Sequence, residues 1–168
     1  MNKSKNLHEL YADFGMAAEK AQVLEIEAGN VVLSFVSMFV DPKTISSEDK
    51  VVYKKLVDEV DRKTLGNLLR KIRNIVEFDP SYEEVISEAL RKRNYLVHGF
   101  FKTHNFAIFD ETGQIEMRKE LSDISKQMDV AHRHLAAISL LLEKLAGREE
   151  CSTEKADKLM KLGKAVKI

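Results

Sequence analysis

The stretch LHELYADFGMAAEKAQVLEIEAGNVVLSFVSM, residues 7–38, decides the fold class. Its apolar residues recur at alternating steps of three and four positions, which is the spacing of a helix packed against another helix. They are Leu7, Leu10, Phe14, Ala17, Ala21, Leu24, Ala28, Val31, Phe35 and Met38. The pattern predicts one helix of roughly 35 residues that ends before Asp41-Pro42, because proline disfavours the helical conformation in the residue before it. The alanines in this run predict a close approach of the partner helix.

A second run with the same spacing lies near the other end of the chain. It comprises Leu121, Ile124, Met128, Ala131, Leu135, Ile138, Leu142 and Leu145. Gly147 follows, and glycine readily adopts the left-handed conformation that ends helices. The two runs predict an all-α fold in which two long helices frame a bundle. The sequence leaves open whether one of these seams faces a second subunit instead of its own chain.

Three shorter helices are predicted between the long ones. Ser46, with acidic residues close behind it, marks the start of the first. Thr64 caps the second, which extends to Val76. Asp79-Pro80 supplies a cap and a proline at the first position of the third, which continues to about Phe101.

Two further segments follow a different pattern. Asn105 to Met117 predicts a short β-hairpin, in which Gly113 supplies the positive φ that such a turn often needs. Residues 148–168 form a lysine-rich tail, in which Thr153 to Ala165 predicts a weakly amphipathic helix. Neither internal repeats nor low-complexity tracts interrupt the chain.

Composition excludes several classes of protein. The 168 residues predict a single domain, and 27 basic against 27 acidic residues argue against a generic duplex-DNA binder. Cys151 is the single cysteine, so an intramolecular disulfide and a multi-cysteine zinc site are excluded. The longest charge-free stretch, Ala28 to Val40, has 13 residues, fewer than the roughly 20 that span a bilayer. With no apolar signal core at the N-terminus, we expect a soluble, cytoplasmic protein without a membrane partner.

The helix after Pro80 carries polar residues where its apolar stripe should continue. The stripe comprises Ile86, Leu90, Val97 and Phe100, and the position that would complete it is Arg93. Asn94 and His98 lie four positions apart and share the adjacent face. An arginine on a core stripe is costly unless it is paired or solvated, so it bridges a carboxylate, such as Glu83, Glu84 or one on a neighbouring element, or it serves a site.

The segment Arg93-Asn94-Tyr95-Leu96-Val97-His98 resembles the signature of the HEPN superfamily, in which an arginine, four to six residues and a histidine mark a ribonuclease site. The segment Thr64 to Leu69 also resembles bacterial HEPN-like proteins. The resemblance covers roughly Leu7 to Gly147, so residues 1–147 are interpreted as a HEPN-like domain. It implies an antiparallel helical bundle, a homodimer with Arg93 and His98 near the two-fold axis, and metal-independent cleavage of RNA without a cofactor.

The chemistry of these side chains suits that reaction. An imidazole such as that of His98 exchanges protons near pH 7, and it is able to take the proton of a ribose 2′-hydroxyl. The guanidinium of Arg93 is suited to stabilise negative charge on the phosphorane, and Asn94 to orient His98 or hold a phosphate oxygen. Arg91, Lys92 and Lys102 are candidates for binding the RNA backbone. Arg91 also fits the permitted spacing, but Asn94 follows Arg93, which is therefore preferred.

One position departs from the pattern of a subgroup of HEPN toxins. In that subgroup a tyrosine two residues after the histidine receives AMP from a nucleotidyltransferase antitoxin, whereas this chain has Phe100. We still expect a toxin or phage-defence role and an antitoxin partner. Neutralisation by transfer of AMP to this position is not expected. The competing interpretations are a non-catalytic dimeric module that binds RNA, a nucleotide or a protein, and a scaffold without a small ligand.

Other histidines and the cysteine are weaker candidates. His132 and His134 lie off the seam of the late helix and point to different sides of it, which does not make a paired metal site. His104 is expected to be exposed near the hairpin. Cys151 has no neighbouring base in the sequence and is treated as incidental.

Overall fold

A computed structural model describes residues 2–39 and 44–147, and these residues form helices without any strand. The elements are α1 (Asn2–Val36), α2 (Ser47–Asp61), α3 (Leu65–Arg73), α4 (Pro80–His98), α5 (Phe100–Thr103), a 3-10 helix (Ala107–Phe109) and α6 (Glu111–Leu145). The all-α prediction is confirmed over this part of the chain. The predicted stop at Asp41-Pro42, the tail helix and Cys151 lie outside the described residues.

The short helices begin where their capping residues predict. The Ser46 side chain accepts a hydrogen bond from the Asp49 N–H at 3.1 Å, and the Asp79 side chain accepts one from Ser81 at 2.9 Å. Thr64 occupies the cap position of α3 without a side-chain bond to the helix. The far ends differ from the prediction, because α3 ends at Arg73 and α4 ends at His98, where Gly99 separates it from α5.

The two long helices pack against each other and run in the same direction. Residue numbers rise together along their polar contacts, which join Asn6 to Glu111 (3.0 Å), Asp13 to Arg118 (2.6 Å), Lys20 to Asp129 and Ser34 to Ser139 (3.3 Å). In an antiparallel pair one number would fall as the other rises. The antiparallel arrangement expected from the resemblance therefore does not apply to this pair.

Helix α4 runs antiparallel to both α1 and α6. Arg93 contacts Glu25 of α1, whereas residues farther along the chain, Phe100 and Phe101, contact the earlier Phe14. Against α6, α4 likewise runs in the opposite direction, with Val85 bonded to Gln127 and Tyr82 stacked on His134. Because α4 carries the chain back to its starting end, α6 is able to repeat the direction of α1.

The core forms where the predicted seams meet. Leu10, Ala17, Ala28, Val31, Ile124, Met128, Ala131 and Leu135 are completely buried. The small side chains in α1 allow the close approach that the sequence predicts. Most of both seams is thus buried within one chain, whereas Leu145 at the end of the second seam is exposed.

The predicted β-hairpin at Asn105 to Met117 is wrong. The segment forms the 3-10 helix and the first turns of α6, where Asp110 caps the helix by accepting a hydrogen bond from the Gly113 N–H at 3.0 Å. Gly113 is buried and lies inside α6. A Cβ there would lie 2.4 Å from the carbonyl oxygen of Ala107. The glycine is therefore required by close packing and not by a turn with positive φ.

Gly147 does adopt the left-handed conformation expected at the end of the late helix, with a φ of 70°. Among the described residues, the helices are either too short or too polar to cross a membrane.

Candidate functional site

The motif occupies the last turns of α4, where the helix is stopped by Gly99. The Gly99 N–H donates to the Tyr95 carbonyl at 2.7 Å. A Cβ at Gly99 would lie 3.0 Å from the Tyr95 ring, so the close fit of that ring favours glycine. The helix therefore ends immediately after His98, which places the imidazole at an exposed helix end.

Arg93 is paired with a carboxylate of its own chain. Its Nη2 donates to Glu25 Oε2 at 3.0 Å, and the two side chains are 19% and 26% exposed. Glu25 offsets the cost of removing most of the guanidinium from water. The partner is thus on a neighbouring element, whereas Glu83 is bound by Arg73. Those hydrogen bonds hold the pKa of Glu83 below its ordinary value.

The second donor group of Arg93 reaches toward the adjacent face of α4. Its Nη1 donates to Asn94 Oδ1 at 3.2 Å. Asn94 and His98 are both exposed and lie one helical turn apart. The guanidinium therefore contacts both Glu25 on α1 and Asn94 on the neighbouring face of α4. The arrangement offers an imidazole in contact with water beside an amide and a partly exposed cation.

The three candidate RNA-binding cations differ in their surroundings. Arg91 donates to Glu88 at 2.8 Å from Nε, and the Lys92 ammonium lies 3.9 Å from the same carboxylate. Lys102 is exposed on α5. The structure brings Arg91 and Lys92 together around Glu88, which partly neutralises the charge that these two residues would offer to a phosphate.

A groove beside the carboxylate partner of Arg93 lies between α1 and α2. Its volume is about 470 Å³, and Glu25 forms part of its wall together with Gly29, Leu33, Val57 and Lys63. Glu25 thus borders both this groove and the guanidinium of Arg93. Arg93, Asn94 and His98 do not line this groove, and of the three only Asn94 and His98 are exposed on α4.

A second polar cluster lies on the other side of Gly99, and the sequence did not predict it. His104 Nε2 lies 2.6 Å from Glu120 Oε2 on α6 and 3.4 Å from the Tyr95 hydroxyl. The His104 side chain is 18% exposed, so the expectation that it is exposed was wrong. The imidazole also packs on the ring of Phe100, with 4.9 Å between ring centroids.

Tyr95 is a packing residue of this cluster. Its ring meets the edge of Phe100 at 6.1 Å. Burial raises the pKa of the Tyr95 hydroxyl above its ordinary value, and the nearby Glu120 raises it further. No local sequence signal revealed the cluster, because Glu120 comes from α6, 16 positions from His104.

The remaining histidines do not form a metal centre. His134 stacks on Tyr82 with ring centroids 4.1 Å apart. Residues 2–39 and 44–147 contain no group of three or more histidine, cysteine, aspartate or glutamate side chains placed to hold a metal ion.

Comparison of the chain with models of known protein families, with curated proteins and with solved structures gave no match.

Proposed function

We propose that the chain is a metal-independent endoribonuclease whose site is the α4 surface formed by Arg93, Asn94 and His98. The observation that carries the proposal is the geometry of this surface. His98 lies in solvent, and the Arg93 guanidinium is bonded to Asn94 on the same face. Cleavage of an RNA phosphodiester needs a proton-transferring group and a cation, and His98 and Arg93 supply them about one and a half helical turns apart.

In the proposed reaction the His98 imidazole removes the proton of the ribose 2′-hydroxyl. The 2′-oxygen attacks the adjacent phosphorus, the bond from phosphorus to the 5′-oxygen breaks, and that oxygen takes up a proton. The products are a 2′,3′-cyclic phosphate and a free 5′-hydroxyl. DNA lacks the nucleophile and is not cleaved by this route.

A homodimer fits a reaction that needs two proton-transferring groups. One histidine serves as base and the leaving oxygen needs an acid, so two α4 ends that meet across a two-fold axis bring two His98 imidazoles to one phosphodiester. The exposed Val97, which lies between Asn94 and His98, supplies apolar surface for that contact. RNA, not duplex DNA, is the proposed substrate.

Glu25 competes with RNA for the guanidinium of Arg93. A phosphate that engages Arg93 has to compete with the Glu25 carboxylate for the same guanidinium, because both are anions that accept its N–H groups. Glu25→Gln therefore weakens the internal partner without removing its hydrogen-bonding shape. We expect the variant to bind RNA more tightly, as measured by fluorescence anisotropy with a labelled RNA that carries 2′-O-methyl groups.

The direct test of the proposed function is incubation of the purified protein with total RNA in EDTA. Cleavage by the unmodified chain, with cyclic-phosphate ends, and its loss in Arg93→Ala and in His98→Ala are the expected results. Arg70→Ala is the matched control, since Arg70 is an exposed arginine on α3, outside the proposed site. Equal cleavage in the His98→Ala sample would show that a contaminating nuclease is responsible and would contradict the proposal.

The cellular role that goes with this activity is that of a toxin or phage-defence effector. Phe100, which occupies the position of the AMP-accepting tyrosine, is completely buried. An antitoxin partner would therefore act by another route. Expression of the chain in a bacterial host is expected to arrest growth, whereas His98→Ala at equal expression does not; arrest by both would contradict this role.

One observation favours a second candidate function, a non-catalytic HEPN-like module. The ion pair between Arg93 and Glu25 lies within one chain and joins α4 to α1. In such a module the pair is structural, and removing either partner leaves a poorly solvated charge. Arg93→Ala then lowers the free energy of unfolding by several kcal/mol, about 3–5 if the pair behaves as fully buried, and the EDTA assay shows no RNA cleavage by the unmodified chain.

A further inference from the structure

The groove between α1 and α2 has an apolar lining and the size of a small-molecule site. Its volume is about 470 Å³, within the range of about 300–1,000 Å³ that is usual for such sites. The two helices approach closely at Gly29, where a Cβ would lie 3.2 Å from Val60 Cγ1. The apolar residues that line the groove are Ile26, Leu33, Val57, Val60 and Leu68. This lining is suited to hold the apolar body of a ligand.

The same groove is lined by oxygen atoms that accept no hydrogen bond from the described part of the chain. Glu25 accepts from Arg93 at 3.0 Å through Oε2, which leaves its Oε1 without a donor. Asp61 is exposed, and its carboxylate makes no ion pair or hydrogen bond with a described side chain. Asn30 donates to Glu27 at 3.0 Å, but its Oδ1 has no described donor. A ligand that fills the groove therefore has to bring hydrogen-bond donors.

The charge of the groove favours a cation. Lys63 is the basic residue in the lining, and its ammonium lies 2.8 Å from the carboxylate of Glu59, which is not part of the lining. This ion pair offsets the charge of Lys63, whereas the carboxylates of Glu25 and Asp61 both face the groove. An anion would meet two like charges here, and a cation would meet two opposite ones.

Two requirements on the ligand follow from this lining. A primary ammonium group carries three donors and a positive charge, which match the carboxylate and amide oxygens. An apolar body attached to it removes the apolar lining from water. A neutral apolar molecule would cover the oxygens without supplying donors, which is unfavourable. The groove therefore selects for both parts in one molecule.

We infer that the groove between α1 and α2 binds an organic cation that carries a primary ammonium group on an apolar body. The ammonium binds the carboxylates of Glu25 and Asp61, and the body packs on Ile26, Leu33 and Val57.

The inference is independent of the proposed ribonuclease activity, because Arg93, Asn94 and His98 do not line the groove. Binding nevertheless changes the surroundings of Arg93. The ammonium is a second cation at the Glu25 carboxylate, which already accepts a hydrogen bond from the Arg93 guanidinium.

The test is an NMR titration of the full chain with cyclohexylmethylamine near neutral pH and without RNA. We expect the amide signals of Ile26, Gly29 and Val57 to shift, together with the Nε signal of Arg93. Cyclohexylmethanol has the same body without the charge, and methylammonium has the charge without the body. Each should bind at least about tenfold more weakly than the amine. Unchanged signals with the amine, or equal binding of either analogue, would overturn the inference.

Variants of the two carboxylates make the test specific to the groove. Asp61→Asn and Glu25→Gln should each weaken binding of the amine by about tenfold, which is the usual effect of losing a charged hydrogen-bond partner. Asp61 is exposed, so its variant is expected to fold normally. The matched control combines Glu19→Gln with Asp58→Asn, which are exposed carboxylates of the same two helices outside the groove. The control should bind as tightly as the unmodified chain, and an equal loss in the control would overturn the inference.

Discussion

His98 and His104 lie six residues apart on either side of Gly99, and the structure gives them opposite surroundings. His98 is exposed at the end of α4. His104 is mostly buried, bonded to Glu120 and packed on Phe100. An imidazole held by a carboxylate from another helix has its donor position committed to the fold. An imidazole in solvent keeps its nitrogens available for a substrate. His98 therefore belongs to the proposed site, whereas His104 stabilises the fold next to it.

The difference also assigns a task to each region. The cluster of Tyr95, His104 and Glu120 joins α4 and α5 to α6, so it fixes the corner from which His98 projects. The His98 side chain itself is exposed. Substitutions of His98 and of His104 should therefore separate activity from stability.

The largest effect is expected for His98→Ala. RNA cleavage should fall by about 10²–10⁴-fold, which is the usual contribution of a positioned acid–base group. The free energy of unfolding should stay within about 0.5 kcal/mol, because the side chain is on the surface. Cleavage in EDTA and urea denaturation measure the two quantities.

His104→Gln is the matched variant for that experiment. It should cost about 1–3 kcal/mol of stability, since the hydrogen bond to Glu120 is altered in a partly buried site. Cleavage per folded molecule should be retained. Loss of cleavage in folded His104→Gln together with an active His98→Ala would reverse the two assignments.

Phe100→Ala tests how much the corner depends on its central ring. Phe100 is completely buried and contacts the rings of Phe14, Tyr95 and His104. We expect a loss of about 3–5 kcal/mol in the free energy of unfolding, from lost burial and the cavity left behind. Phe106→Ala is the control, because Phe106 is largely exposed and should change stability by less than about 0.5 kcal/mol. Similar losses in both variants would mean that Phe106 is also covered.

Gly113→Ala tests the junction that carries the chain from this corner into α6. The new methyl group would meet the backbone of Ala107, which is not a flexible side-chain end. A loss of about 1–3 kcal/mol is expected from overpacking. Gly15→Ala is the helical control, since nothing apart from its chain neighbours and the backbone of its own helix lies within 4 Å of its Cβ position. It should stabilise the protein by about 0.5–1 kcal/mol. Thermal unfolding of both variants decides the comparison, and a stabilised Gly113→Ala would contradict the packing described.

Tyr95→Phe should have the smallest effect, a loss of about 1 kcal/mol near pH 7 from the missing hydroxyl. The folded state raises the pKa of Tyr95, so the neutral phenol is favoured by folding. This contribution is complete below the ordinary pKa of 10.0 and is lost as the pH rises through the higher pKa of the folded state. The stability advantage of the unmodified chain over Tyr95→Phe should therefore shrink above about pH 10. An advantage that stays constant or grows up to pH 11 would contradict this sign.

The features predicted correctly from the sequence are those with a local cause. The caps at Ser46 and Asp79 act within three residues, and the two seams repeat a period that is visible over any few turns. The hairpin prediction failed because aspartate and glycine three positions apart are also typical of a turn. Here Asp110 caps a helix and Gly113 packs on Ala107.

Pairings between distant segments could not be predicted in the same way. Glu25 is 68 positions from Arg93, and nothing nearby in the sequence distinguishes it from Glu83 or Glu84 as a partner. The same is true of His104, whose burial depends on Glu120 arriving from α6. The motif residues were found because they interrupt an apolar stripe, whereas their partners do not interrupt one.

The most direct test of the account is an NMR titration of the histidine side chains with a short RNA in which 2′-O-methyl groups prevent cleavage. The imidazole signals of His98 should shift as the RNA is added, together with the Nε signal of Arg93. The signals of His104 should remain in place. Shifts at His104 or elsewhere with an unchanged His98 would show that the end of α4 does not bind RNA.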